Sequence, residues 1–280
     1  MKPPFSYYGG KQKIVKHIIP HIPQHTVFVE PFAGGATLLF AKPDYRTGNN
    51  NNYREVINDT NKDVHNFFVQ LRDNGTELCR MLELSLYSQE EHRIARNYNG
   101  DDPLMKAYYF YVNIMQSFAK IINGSWGNNI CGQNIPITNK NKTDNLQLYI
   151  ERMRSIYISC EDAIQCIKRW DSPQTFFYCD PPYPETRQEY GKTYTQQDFE
   201  NLIETLDSCE GSFILSCYHN EAVPKDWQKY EFETRTSSSN TAKDGHREKR
   251  TECIWIRQAT KQPRPEILKI YDKQNQLYFA

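Results

Sequence analysis

Asp180-Pro181-Pro182-Tyr183 is the segment of this chain best suited to chemistry. Two successive prolines remove two backbone N–H donors and stiffen the turn. The Asp180 carboxylate and the Pro181 carbonyl then present two acceptors at a fixed spacing. That pair suits an amine carrying two hydrogens, such as the exocyclic amine of adenine or cytosine. Tyr183 offers a face on which a planar base can stack. Taken alone, the tetrapeptide also fits a rigid turn with a capping Asp, so its surroundings must decide.

A second segment, Glu30-Pro31-Phe32-Ala33-Gly34-Gly35, ends an apolar run in small residues. Such a turn lets a nucleotide-like ligand approach the backbone. Asp59 closes the next apolar run, where an acidic residue can accept hydrogen bonds from ribose hydroxyls. The two features fit a nicotinamide dinucleotide as well as S-adenosylmethionine, although GxGxxG is absent. Near the start, Tyr7-Tyr8-Gly9-Gly10-Lys11 offers a cation for a carboxylate and a ring for an adenine or methionine moiety. A plain surface turn is the alternative there.

The elements that must position these residues alternate. Thr26–Glu30, Glu55–Asn58, Thr175–Cys179, Ser212–Ser216 and Glu252–Arg257 read as strands. Val64, Phe67, Phe68 and Leu71 repeat at helical spacing, and Gln197–Leu206 is a further helix. Strands joined by helices predict a mostly parallel α/β sheet with ligands at the carboxyl ends of its strands. The stretch from 76 to 157 departs from this alternation. Thr76–Tyr98 and Pro103–Ile122 read as helices, and Asn123–Lys142 is rich in Asn and Gly. It reads as an inserted domain. Asp44–Tyr53 and Ser237–Arg250 are polar and lack apolar periodicity.

Bulk properties set limits. The 280 residues suffice for one large domain or a core with an insert. With 34 basic and 34 acidic residues the net charge is zero, so a nucleic-acid partner requires charge gathered on one face. No window approaches a membrane span and Met1–Phe5 carries no signal-like apolar run, which predicts a cytoplasmic protein. The eight Cys form no CxxC pair and no His cluster lies near them, so no metal is expected.

In their order and spacing these segments resemble the DNA adenine methylases of the Dam type, a branch of the S-adenosylmethionine-dependent amino-methyltransferases. The resemblance runs through Tyr7–Lys11, Phe28–Gly35, Val56–Asp59, Cys179–Tyr183 and Ser212–Asn220, and ends in Arg247–Trp255, which is similar to the family's late arginine/glutamate segment. It implies a Rossmann-like, mostly parallel twisted sheet of class I methyltransferase type. Residues 1–75 and 158–280 would form the catalytic domain, and 76–157 a mainly helical target-recognition insert. It implies S-adenosylmethionine as cofactor, met by Tyr7, Lys11, Glu30, Phe32, Gly35, Ala36, Thr37, Asp59, Asp162, Ala163 and Asp180. Asp180, Pro181, Pro182 and Tyr183 would form the catalytic pocket. DNA would be contacted by Lys120, Asn123, Ser125, Trp126, Asn128 and Asn129, where the family places its recognition hairpin. Arg187 and Lys192 follow the catalytic tetrapeptide, and Lys243, Arg247 and Lys249 belong to a late basic cluster. Trp126 suits intercalation or the core equally.

The implied reaction is methyl transfer to N6 of an adenine extruded from double-stranded DNA. The expected partners are DNA and, for a restriction–modification enzyme, a cognate restriction endonuclease; the chain is expected to be monomeric in solution. Competing readings are methylation of cytosine N4 or RNA adenine, and a non-catalytic regulator that binds cofactor and DNA. Asp at the first tetrapeptide position leans toward adenine.

Overall fold

A computed structural model describes residues 1–7, 9–45, 52–128, 134–143, 145–184, 194–235 and 249–259. Seven strands form one sheet: β1 Val27–Glu30, β2 Arg54–Asn58, β3 Ile156–Ser159, β4 Thr175–Cys179, β5 Ser212–Cys217, β6 Gln228–Arg235 and β7 Lys249–Arg257. Their order is β3-β2-β1-β4-β5-β7-β6. The first five are parallel, and β7 runs antiparallel between β5 and β6. The order reverses between β1 and β4, so a crevice opens beyond their carboxyl ends. Both the Glu30–Gly35 turn and the Asp180–Tyr183 turn leave the sheet there. The expected class I methyltransferase sheet is observed.

The central strands are apolar along their whole length because both faces are covered. β4 (TFFYC) and β5 (SFILSC) are buried throughout. Alternate residues feed two cores. Phe28, Phe176, Tyr178 and Ile214 face one; Val29, Phe177, Cys179, Phe213 and Leu215 face the other.

Helices cover both faces. After the four-residue α1 (Val15–Ile18), α2 (Thr37–Ala41) follows the turn at the end of β1. α3 (Lys62–Asp73) is capped by Asn61 and buries Val64, Phe67, Phe68 and Leu71, the positions its spacing predicts. α4 (Gly75–Leu84), α5 (Gln89–Asn97) and α6 (Pro103–Gln116) build the helical block. Asp102 caps α6 ahead of Pro103, and nine of its residues are buried, so α6 is a core helix. α7 (Ile135–Thr143) and α8 (Gln147–Met153) lead back to the sheet. α9 (Ala163–Trp170) and α10 (Gln196–Ser208) cover the other core with Cys166, Ile167, Phe199, Leu202 and Leu206. α10 opens on a capping box of Thr195 and Asp198. No helix among the described residues is long and apolar enough to cross a membrane.

Three features differ from the expectation. The helix expected over Thr76–Tyr98 is two, divided after Leu84, with Ser88 capping the second. The helix expected over Pro103–Ile122 stops at Gln116, where the chain turns back on itself. Two strands, β3 and β6, were not foreseen. Both are edge strands with one partner each: β3 is only four residues long and exposes Tyr157, and β6 is rich in polar residues, so neither carries a clear buried-strand pattern. β3 spans residues 157 and 158, where the sequence expectation sets the junction between insert and catalytic domain.

Candidate active site

The turn after β1 is held from several sides. Glu30, the last residue of β1, accepts hydrogen bonds through Oε1 from Leu38 N and Leu39 N, both at 3.1 Å. It thus caps α2 from a distance, because Ala36 at the N-cap has no side-chain acceptor. Ala36 itself has φ 53° and ψ 48°, a left-handed conformation that costs a non-glycine residue about 1 kcal/mol or more. Gly34 has φ 47°, and a Cβ there would lie 2.9 Å from the Tyr7 ring. Tyr7 therefore rests directly on the turn, as only glycine permits. The end of β2 completes the brace. Asn58 Nδ2 donates to Pro31 O at 3.0 Å, and Gly34 N donates to Asp59 Oδ2 at 2.8 Å.

Asp59, the expected ribose ligand, also holds backbone. Its Oδ1 accepts from Asn61 N at 2.8 Å, so each carboxylate oxygen already holds a backbone N–H. Burial raises its pKa while those two bonds oppose the rise. Each oxygen keeps a further lone pair for a ligand hydroxyl. Asp162 is likewise engaged, its Oδ1 capping α9 through Ile164 N and Gln165 N, and Ala163 is buried behind it. Phe32 meets Tyr194 edge-on at 6.2 Å. Glu30 Oε2 is buried and has no hydrogen-bond partner, and burial pushes the carboxyl up to about 8 against the Leu39 and Leu38 bonds.

At the end of β4, charges converge. Lys11 Nζ lies 2.9 Å from Asp180 Oδ1 and 3.8 Å from Glu252 Oε2. It also donates to Gly9 O at 3.1 Å and stands 4.7 Å from the centre of the Tyr183 ring. Tyr183 donates its hydroxyl to Glu252 Oε2 at 2.9 Å and packs edge-on against Tyr218 at 4.4 Å. Burial opposes the charge on Lys11, yet Asp180 and Glu252 outweigh it and hold its pKa above the ordinary value. Burial pushes Asp180 up to about 6, with Lys11 pulling it back and Glu252 adding to the rise. At neutral pH the site therefore holds one ammonium and an ionised Asp180.

The structure thus brings together Tyr7, Lys11, Glu30, Gly35, Ala36, Thr37, Asp59, Asp180 and Tyr183 at the carboxyl ends of the central strands. Glu252 was not singled out by the sequence. Its only signal was its place in the late arginine/glutamate segment; what delivers it is the antiparallel β7, which pairs Cys253 with Cys217 just beyond Glu252.

The expected DNA-contacting residues divide. Lys120, Asn123, Ser125 and Trp126 share a tight loop at the end of α6. Ser117 bridges Trp126, and Phe118 N donates to Ser125 O at 2.8 Å. Ala119, Lys120 and Asn123 all have positive φ. Asn123 is tied to Asn113 by two hydrogen bonds, and Lys120 Nζ donates to Met115 O. Trp126 lies 5.7 Å from Tyr87, its indole N–H buried without an acceptor, and Asn128 is exposed. Asn129, Arg187, Lys192, Lys243 and Arg247 lie outside the described residues, and Lys249 begins β7.

Comparison with known proteins fits this geometry. Residues 7–240 match the family described as D12 class N6 adenine-specific DNA methyltransferase. The Type II methyltransferase M1.LlaDCHI of Lactococcus lactis subsp. cremoris is 27% identical, over 91% of this chain and 94% of its own. The DNA adenine methylase of Salmonella typhi is 25% identical, over 78% of this chain and 81% of its own. Among solved structures, the rRNA methyltransferase aviRa from Streptomyces viridochromogenes covers 96% of this chain at 8% identity and a TM-score of 0.41, too low to bear on function.

Proposed function

We infer that this chain, which belongs to the D12 class of N6 adenine-specific DNA methyltransferases, works where Lys11, Asp180, Tyr183 and Glu252 meet. Its methyl donor is S-adenosylmethionine, and the residues beyond β1 and β4 suit that group. It carries a sulfonium, an ammonium, a carboxylate and ribose hydroxyls, and the site would meet it with the acceptors of Glu30, Asp59 and Asp180 and the Lys11 ammonium. The buried, unpartnered Glu30 Oε2 and the glycine turn under Tyr7 are the features a bound polar ligand would complete. When bound, the cofactor supplies an electrophilic methyl group on sulfur.

The observation that carries the assignment is the Lys11–Asp180 contact. A nitrogen with hydrogens to donate already sits at 2.9 Å from Asp180 and over the face of Tyr183. An adenine amine needs the same two partners. Tyr183 stacks the extruded base, at about 1–3 kcal/mol, offsetting part of the unstacking cost. Asp180 and the Pro181 carbonyl take the two N–H groups and make the nitrogen more tetrahedral, with its lone pair toward the methyl group. As the C–N bond formed, the S–CH3 bond would break with its electron pair left on sulfur, and one N–H proton would then pass to solvent. Positioning and fixed charge supply the acceleration.

We assign DNA recognition to the helical insert, with the Lys120–Trp126 loop as its reading element. The three left-handed residues in that loop support this, because such strain persists where a loop must hold one shape. The Type II relative favours a restriction–modification setting with a cognate endonuclease, in the cytoplasm. Expression in a methylation-free host followed by base-resolved sequencing tests the whole assignment. N6-methyladenine in one sequence context is expected, and its loss with Asp180→Ala. Unchanged methylation by that variant would refute the site.

A further inference from the structure

We propose that Glu252 is a positioning residue that receives the Lys11 ammonium when the target amine arrives, and so releases Asp180 to hold that amine. The proposal rests on the reading of Asp180 and Tyr183 as the base pocket.

The starting point is a conflict of occupancy. Lys11 uses the carboxylate that the incoming amine needs and covers the ring that the base needs. Base and ammonium cannot both hold these places, so Lys11 has to move. It is only 7% exposed, and a buried ammonium without an anion is strongly disfavoured. Among the described residues, the carboxylates in ion-pair reach of Lys11 are Asp180 and Glu252. Glu252 Oε2 stands at 3.8 Å, about 1 Å beyond a charged hydrogen bond. A small side-chain shift therefore exchanges one carboxylate for the other, while Gly9 O remains a third acceptor.

The placement of Glu252 fits this task. Its Oε2 already holds the Tyr183 hydroxyl, so the acceptor that receives the lysine also fixes the ring that receives the base. Like charge joins the two carboxylates, since Glu252 raises the pKa of Asp180. One ammonium between two carboxylates leaves one of them short of a partner. In the resting site that is Glu252; with base bound, the amine supplies the second partner.

The test measures how much the target amine contributes to binding. Two duplexes are compared, one with adenine and one with purine at the methylated position, each with S-adenosylhomocysteine present. The cost of opening the duplex is common to all enzyme variants, so only changes in the adenine-over-purine affinity ratio matter. Glu252→Gln, which can still accept from Tyr183, is expected to lower that ratio at least tenfold. Glu252→Asp, which keeps the charge, should lower it less. In a Lys11→Met background, where no ammonium needs relocation, Glu252→Gln should change the ratio less than twofold. An unchanged ratio in Glu252→Gln, or the same loss in both backgrounds, overturns the proposal. So does a Tyr183→Phe variant that reproduces the whole loss, since Glu252 would then act through the ring alone. If Glu252→Gln does not fold, the Glu252→Asp and Lys11→Met pair carries the same comparison. An Asp180→Ala enzyme with wild-type methyl transfer sinks the underlying reading instead, whatever Glu252 does.

Discussion

The sheet carries a buried lysine at each end, and the two are treated in opposite ways. Toward the amino ends of the strands, Lys42 is fully enclosed. Its Nζ bonds Glu55 Oε1 at 2.5 Å and the Tyr53 hydroxyl at 2.9 Å, within a cage of Phe28, Tyr45 and Tyr53 rings at 4.6 to 5.1 Å. Arg152 adds bonds to both oxygens of Glu55. Burial pushes Glu55 up, but the two cations outweigh it and hold its pKa low. At the carboxyl ends, Lys11 has one close carboxylate, a second just out of reach, and the ring of Tyr183 beneath it. The first arrangement has one low-energy state. The second, on the proposal made for Glu252, has two, the freedom required where a substrate must displace something.

The contrast makes separable predictions. Asp180→Ala should reduce methyl transfer on the order of 10³-fold while thermal stability changes little, because a preorganised acceptor acts on the reacting nitrogen. A large drop in melting temperature without a rate defect would erase the distinction. Glu55→Leu should do the reverse. It strands Lys42 and Arg152 in the core and should cost about 3–5 kcal/mol of stability, read by denaturant unfolding.

Glu30 lies between these extremes. Its pKa is raised by burial to about 8, so the folded state binds the proton more tightly than the unfolded chain does. The stability tied to that proton is full below the usual carboxylate range and is lost as pH rises through about 8. Glu30→Gln should therefore gain on the parent by roughly 1–3 kcal/mol between pH 5 and 8, measured as the pH dependence of unfolding. A constant difference between the two proteins would show that Glu30 is ionised in the fold.

The site should show its own titration. With Asp180 raised to about 6, the ionised acceptor predominates above that pH and is lost below it. kcat/KM should fall about tenfold per pH unit on the acid side. Removing the like charge with Glu252→Gln should move that limb to lower pH. The smallest effect is expected for Tyr183→Phe, which keeps the stacking ring and loses one hydrogen bond, about 1 kcal/mol in kcat/KM.

Much of this architecture was legible because it is written locally. The runs TFFYC and SFILS are apolar throughout and end in turn residues, so they announce buried parallel strands. The α3 spacing names its own core face. Asp180–Tyr183 and Glu30–Gly35 are contiguous, and their neighbours in sequence are their neighbours in space. What escaped depends on distant partners. Lys42, Glu55 and Arg152 come from three separate elements, and nothing near any of them signals the others. Glu252 becomes part of the site only through the register of β7. The bond from Gly34 to Asp59 also joins segments that no local pattern links. The residues expected to meet DNA are the least legible, because the Lys120–Trp126 loop is shaped by contacts to α6 rather than by a repeating pattern.

The late strand β7 also sets a timetable. Lys11 is made long before its two carboxylates, Asp180 and then Glu252. Until β7 slots between β5 and β6, the Tyr183 hydroxyl lacks its acceptor and the pocket has one wall missing. Contacts this far apart in the chain form slowly. The pocket around Lys11 and Tyr183 therefore closes only once β7 has docked beside β5.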